Sequence, residues 1–144
     1  SAASDVYKRQ QIACLMPVMQ FSVAPWRILS AQDYAKVKQA VALRSRCMPL
    51  LRQALALCRN TGEPVLRPMA YNFTEPACAR VTDQFMVGDK LLVAPILEKG
   101  ATRRTVYFPK GSWCSECGER YDSTGEVYEI EVGDRIGIFE KESG

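Results

Sequence analysis

The 144 residues predict an α/β segment that runs into an antiparallel β-domain. Three observations carry this fold class. From Cys14 to Phe73 a short apolar run, one long amphipathic helix and a second short apolar run follow one another. From about Phe85 the apolar residues instead fall into short runs separated by turn residues. Finally, two strands around one helix form a βαβ unit that cannot close a sheet, so the first segment reads as the end of a larger α/β body.

The opening SAASDVYKRQ is polar and does not join the pattern that follows. It resembles a translated adapter scar of the kind found at the ends of metagenomic reads, so residues 1–10 are set aside from fold reasoning and the chain is expected to be a fragment. Cys14 to Phe21 (CLMPVMQF) predicts a buried strand opening into a loop over Ser22 to Leu29. Ser30 is a helix N-cap, with Asp33 three residues on as a capping-box-like partner whose charge suits the N-terminus. Tyr34, Val37, Val41, Met48, Leu51, Leu55 and Cys58 recur at threes and fours or their sum, which defines one helical stripe. Arg59, Asn60 and Gly62 mark the end, with Pro64 beyond. A helix from about Ala31 to Asn60 is roughly 45 Å long at 1.5 Å per residue and needs a large body to lean on. Pro49 within it is expected to kink or interrupt it. Pro64 to Tyr71 (PVLRPMAY) then predicts a second strand, its prolines awkward for a central antiparallel position.

In the second half, Phe85 to Val87, Leu91 to Leu97, Thr105 to Phe108, Val127 to Val132 and Arg135 to Phe139 read as strands of an antiparallel sheet. Val127 to Val132 alternate in part between apolar and acidic residues, as a sheet with one wet face does. An edge left unpaired beyond Gly144 is expected to make the piece prone to aggregate.

Composition narrows the function classes. The hydrophobic content of 47% is that of a globular chain, and a net charge of +3 from 19 basic and 16 acidic residues supplies no phosphate-binding stripe. Nucleic acid is therefore not an expected partner. No stretch reaches the roughly 18 consecutive apolar residues of a bilayer span, so no membrane partner is expected either. Six scattered cysteines in a chain able to build a core without staples favour reduced thiols and a cytosolic setting, and a bacterial source is expected. Cys114 and Cys117 form a lone Cys-x-x-Cys with no histidine in the chain, which reads as a hairpin end carrying two thiols rather than a zinc or redox site. No metal or cofactor is expected.

The run from Asp83 to Trp113, DQFMVGDKLLVAPILEKGATRRTVYFPKGSW, is the most informative of the chain. It matches D-Q-F-x-x-G-D-x-L-L-V-A-P-x-L-x-x-G-A-T-x-x-x-V-Y-x-P-x-G-x-W, the crossover by which glycoside hydrolase family 31 leaves its catalytic barrel for its proximal C-terminal β-domain. Gly62, Pro64, Val65, Arg67 and Pro68 resemble the family's G-x-P-V-x-R-P pattern near the last strand of a (β/α)8 TIM barrel. Arg46, Met48, Pro49, Leu50 and Leu51 resemble a reduced R-x-x-L-L-P segment, and Asp134 and Arg135 a D-R-I-P-I-F ending in which Gly137 replaces the proline. The resemblance implies that residues 11–84 are the last βαβ portion of the barrel, with Cys14 to Phe21 and Val65 to Tyr71 as its seventh and eighth strands. Residues 85–144 would be part of a β-sandwich-like domain.

The same resemblance implies a retaining exo-α-glycosidase acting on terminal α-linked galactose or glucose of an oligosaccharide or glycoside. Such enzymes need two carboxyl groups about 5 Å apart. The family draws both aspartates from earlier strands, so no catalytic residue is assigned in this chain and the 144 residues alone are expected to be inactive. Asp83 and Asp89 suit the crossover turns, while Glu63 and Glu75 precede prolines and read as solvated loop residues. Substrate-binding candidates are Gln20, Ser22, Trp26 and Asn72, at the expected C-terminal ends of the two barrel strands. Gln20, Phe21 and Ser22 stand where many members carry Arg-Asn-His, and the M-Q-F-S-x-x-P-W form resembles an α-galactosidase-like branch. Trp26 offers a face for a sugar ring or for the neighbouring helix. Asn72 and Phe73 follow the second strand. Arg67 is expected to meet an upstream carboxylate, because an inward charge requires a partner. The alternative is a non-catalytic carbohydrate-binding or structural module, and the oligomeric state stays open.

Overall fold

The computed structural model describes residues 11–98, 100–133 and 135–143; the adapter-like segment 1–10 and the Asp134 match lie outside the described residues. A 3-10 turn at Pro25–Arg27 precedes helix α1 (Ala31–Thr61). After it come β1 (Leu66–Pro68), a single helical turn α2 (Met69–Asn72), a 3-10 turn at Pro76–Arg80, and strands β2 (Phe85–Val87) and β3 (Leu91–Ala94). Strands β4 (Arg103–Phe108), β5 (Gly111–Ser115), β6 (Arg120–Ser123), β7 (Glu126–Glu131) and β8 (Gly137–Lys141) complete the chain.

Helix α1 begins and ends where local chemistry places it. The Ser30 hydroxyl accepts from the Asp33 N–H at 3.1 Å and donates to Asp33 Oδ2 at 2.8 Å, satisfying one of the open donors of the first turn. At the other end Gly62 takes φ +78° and donates to the Cys58 carbonyl at 2.9 Å. That left-handed cap suits a residue without Cβ. The helix runs through Pro49 without interruption.

Six strands form one sheet in the order β1-β2-β3-β8-β5-β6, and β4 pairs with β7 in a separate ribbon; every pair is antiparallel. The register Met86↔Leu92↔Phe139 lines one face and Phe85↔Val93↔Ile138 the other. The first set packs with Val106, Phe108 and Ile130 of the ribbon, the second with Ala40, Leu43, Leu51 and Ala54 of α1. The large sheet thus lies between helix and ribbon. This explains why β3 is an unbroken apolar run: with both faces covered, alternation has no function.

Four expectations are corrected. Cys14 to Phe21 is not a strand: Cys14 and Leu15 are buried, in turns closed by Leu15 and Met16 donating to Ile12 and Ala13, and the rest runs as irregular chain without a strand to pair with. The predicted strand over Val65 to Tyr71 shrinks to Leu66–Pro68, because Pro68 ends the ladder and α2 starts at Met69. Its neighbour is the antiparallel β2, so no parallel βαβ pairing exists among the described residues. The buried face of α1 is rotated from the predicted stripe, since Val37, Ala40, Leu43, Leu51 and Ala54 are buried while Val41 and Leu55 are exposed. Two alanines let the helix seat close to the sheet, where larger residues would hold it off. Finally, β5 and β6 were not predicted. Their register sets Trp113 against Tyr121 in a hairpin whose turn holds Cys117, and Trp113 is a fully buried strand residue that donates to the Pro109 carbonyl at 2.9 Å.

Candidate functional site

The segment carrying Gln20, Ser22 and Trp26 is held at its root and open beyond it. Arg44 of α1 donates from Nη1 to the carbonyls of Cys14 at 2.9 Å and Met16 at 2.6 Å, and from Nη2 to Pro17 at 3.1 Å. One guanidinium therefore satisfies three carbonyls that no strand partner covers. Burial of Cys14 pushes its thiol up to about 12, so it is a protonated core residue.

Beyond this anchor the chain turns outward. Gln20 and Ser22 are exposed and make no side-chain hydrogen bond among the described residues. Val18 is 78% exposed, Trp26 65% and Ile28 67%, an unusual density of open apolar side chains. Trp26 rests edge-on against Tyr34 of α1, ring centroids 6.3 Å apart at 66°. Trp26 thus touches the helix and keeps most of its surface open.

Asn72 is placed elsewhere. Its Oδ1 accepts from Arg67 Nη1 at 2.9 Å and its Nδ2 donates to the Gly88 carbonyl at 2.8 Å, so both amide atoms are engaged. Arg67 is 4% exposed. Its Nε donates to the Pro64 carbonyl at 2.7 Å, and its guanidinium lies over the Tyr71 ring at 5.1 Å. Nη2 stands 2.9 Å from Glu63 Oε2, an ion pair without hydrogen-bond alignment. Among the described residues the carboxylate nearest Arg67 is thus the partly exposed Glu63.

Glu75 is likewise corrected. It accepts from the Tyr107 hydroxyl and from the Lys110 N–H at 2.8 Å, tying the loop after α2 to the β4–β5 connection. Burial, then this carboxylate, holds the Tyr107 hydroxyl above its ordinary range. Asp83 accepts from Arg104 Nη2 at 2.8 Å, the structural role expected of it. Asp89 is exposed in the β2–β3 turn. Three of the four carboxylates are thus spent on structure. Among the described residues no group of three metal-binding side chains exists, and no helix is long and apolar enough to cross a membrane.

Sequence reasoning missed Arg44 and Gln84. Gln84 donates to the Tyr107 carbonyl at 2.7 Å and accepts from the Tyr107 N–H at 3.0 Å, acting as a strand partner for β4. Its place in the D-Q-F pattern was the available signal. A second open surface is a cleft of about 540 Å³ near Met16, Arg67, Phe85, Pro95 and Leu97, mostly apolar.

A family profile described as "Glycosyl hydrolase family 31 C-terminal domain" matches residues 62–143. The chain is 40% identical over 116 residues to the myogenesis-regulating glycosidase of Mus musculus, covering 79% of this chain and 16% of that protein. It is 35% identical over 107 residues to alpha-glucosidase 2 of Bacillus thermoamyloliquefaciens, covering 73% and 13%. Among solved structures, a GH31 alpha-xylosidase from a soil metagenome, complexed with xylose, superposes with a TM-score of 0.88 at 23% identity, over 99% of this chain and 25% of that one. At that identity the likeness speaks for the fold alone.

Proposed function

Because the chain belongs to glycosyl hydrolase family 31, we propose that it is a C-terminal part of a retaining exo-α-glycosidase removing terminal α-linked hexose, galactose or glucose, from oligosaccharides or glycosides. Both catalytic aspartates come from outside these 144 residues. The chain spans 16% and 13% of the length of two relatives it matches, which leaves ample room for them. In this reading residues 11–84 complete a catalytic barrel and residues 85–144 open the β-domain, with the β1–β2 pair bridging the junction.

The observation that carries the proposal is the outward presentation of residues 18–28. Gln20 and Ser22 are exposed with their hydrogen-bonding groups unspent, and Trp26, six and four residues on, is 65% exposed. Such amide, hydroxyl and aromatic groups suit a sugar, with Ser22 working at short range or through a water. The exposed Val18 and Ile28 and the apolar cleft would then pack against the barrel that the rest of the polypeptide supplies.

The test compares this chain with its upstream-extended reading frame on nitrophenyl α-galactoside and α-glucoside. The extended enzyme should hydrolyse one of them and the 144 residues neither. In the extended enzyme, Gln20→Ala and Ser22→Ala should each raise KM by about two- to tenfold, the value of one hydrogen bond. Activity of the 144 residues alone, or an extended frame without two barrel aspartates, would overturn the proposal.

A further inference from the structure

Helix α1 holds the outward segment at both of its ends. At the near end Arg44 donates from Nη1 to the Cys14 and Met16 carbonyls at 2.9 and 2.6 Å, and from Nη2 to the Pro17 carbonyl at 3.1 Å. At the far end the Arg27 N–H donates to the Ala24 carbonyl and the Leu29 N–H to the Pro25 carbonyl, each at 3.0 Å, and the Trp26 ring meets Tyr34. Between these anchors, residues 18–23 form no hydrogen bond with any other described residue. Their course is therefore set by the two ends.

Both anchors share one rigid reference. Tyr34 and Arg44 stand about 15 Å apart along the helix, at 1.5 Å of rise per residue. Ala40 and Leu43, which lie between them, are buried in the cluster that joins α1 to the sheet, so the guanidinium is carried on a packed turn. Among the described residues Arg44 is paired with no carboxylate, and its charge is met by the three carbonyl dipoles. That commits the side chain to one backbone stretch. A planar fork can meet carbonyls of neighbouring residues together, whereas a lysine ammonium is a compact point charge without that fixed geometry.

We infer that Arg44 is a positioning residue of the sugar site, fixing through the backbone of residues 14–17 where Gln20 and Ser22 stand. It touches no substrate itself. The inference rests on the reading of residues 18–28 as the sugar-facing segment and adds to it the group that aims that segment. Gln20 and Ser22 are binding groups rather than reacting ones, so loosening them raises KM and leaves kcat nearly as it was.

Two measurements test it. In the 144-residue chain, hydrogen exchange at the Leu15 and Met16 amides, which donate to the Ile12 and Ala13 carbonyls at 3.0 and 3.1 Å, reads the anchor directly. Arg44→Lys should speed exchange there by about tenfold while the amides of β3 and β8 keep their protection. In the upstream-extended enzyme, Arg44→Lys should raise KM about three- to tenfold with kcat within about twofold, and Arg44→Ala should raise KM further. Gly62→Ala, which strains the far end of α1, should leave KM at the parent value. The inference is overturned if exchange at Leu15 and Met16 stays unchanged, if kcat falls while KM holds, or if Gly62→Ala raises KM as much as Arg44→Lys. It is overturned alone if Gln20→Ala and Ser22→Ala raise KM and the Arg44 variants do not. If Gln20→Ala and Ser22→Ala leave KM unchanged while the Leu15 and Met16 amides exchange faster, the sugar-facing reading fails and takes the positioning role with it, leaving Arg44 a structural clamp.

Discussion

A Cβ built on Gly88 would stand 3.1 Å from the Ala54 Cβ, so the β2–β3 turn lies against helix α1 with no side chain between them. Gly88 also takes φ +63°, and its N–H donates to the Val65 carbonyl at 2.7 Å. One position thus combines a left-handed backbone, a close helix contact and the two hydrogen bonds that fix the β2–β3 turn.

Gly88→Ala should therefore cost more than Gly62→Ala. Gly62 has φ +78° with nothing within 4 Å of its added Cβ, so alanine there should cost only the backbone term, about 1 kcal/mol. At Gly88 overpacking against Ala54 adds about 1–3 kcal/mol. Urea denaturation of the two variants measures the difference, and equal losses would show that the turn gives way freely.

Asn72→Ala should destabilise by about 1–3 kcal/mol, because it strips an acceptor from buried Arg67 and a donor from the Gly88 carbonyl. Asn72→Asp should recover part of this loss, since it keeps the acceptor facing the guanidinium. Comparing the two by denaturation separates the shares; identical stabilities would mean the donor alone matters.

Stability should fall as pH rises above about 9. Burial pushes the Cys14 thiol up to about 12 and the Cys78 thiol up to about 11 from an ordinary value of 9.0. Between those values the unfolded chain has lost protons that the folded chain keeps, so the derivative of unfolding free energy with pH is negative. Their contribution is fully present below about 9 and disappears as pH climbs through the folded values. Denaturation midpoints at pH 8 and 10.5 check the sign, and Cys14→Ala should flatten the slope. At pH 8, exposed Cys117 should also react with a thiol reagent far faster than Cys14.

Gly137→Ala should weaken the β3–β8 pairing. A Cβ there would lie 2.9 Å from the Ala94 carbonyl oxygen, a backbone atom that cannot move aside cheaply. A loss of about 1–3 kcal/mol is expected from overpacking. Thermal melting that matches the parent chain would contradict it.

The sequence by itself determined what depends on near neighbours. Ser30 and Gly62 bound the long helix to within a residue or so, because capping is a local hydrogen-bonding matter. The run Leu91–Ala94, the β4 and β7 strands and the family crossover from Asp83 to Trp113 were legible for the same reason. Tertiary structure alone decided that Ala40 and Ala54, rather than Val41 and Leu55, face the sheet, since helical spacing defines a stripe but not which neighbour will cover it. It also decided that Leu66–Pro68 pairs antiparallel, that Gly111–Ser115 and Arg120–Ser123 form a hairpin, and that both ends of the Asn72 amide are occupied. Each of these rests on partners far away in the chain. A pattern of residue types carries no record of such a partner until folding brings the two together.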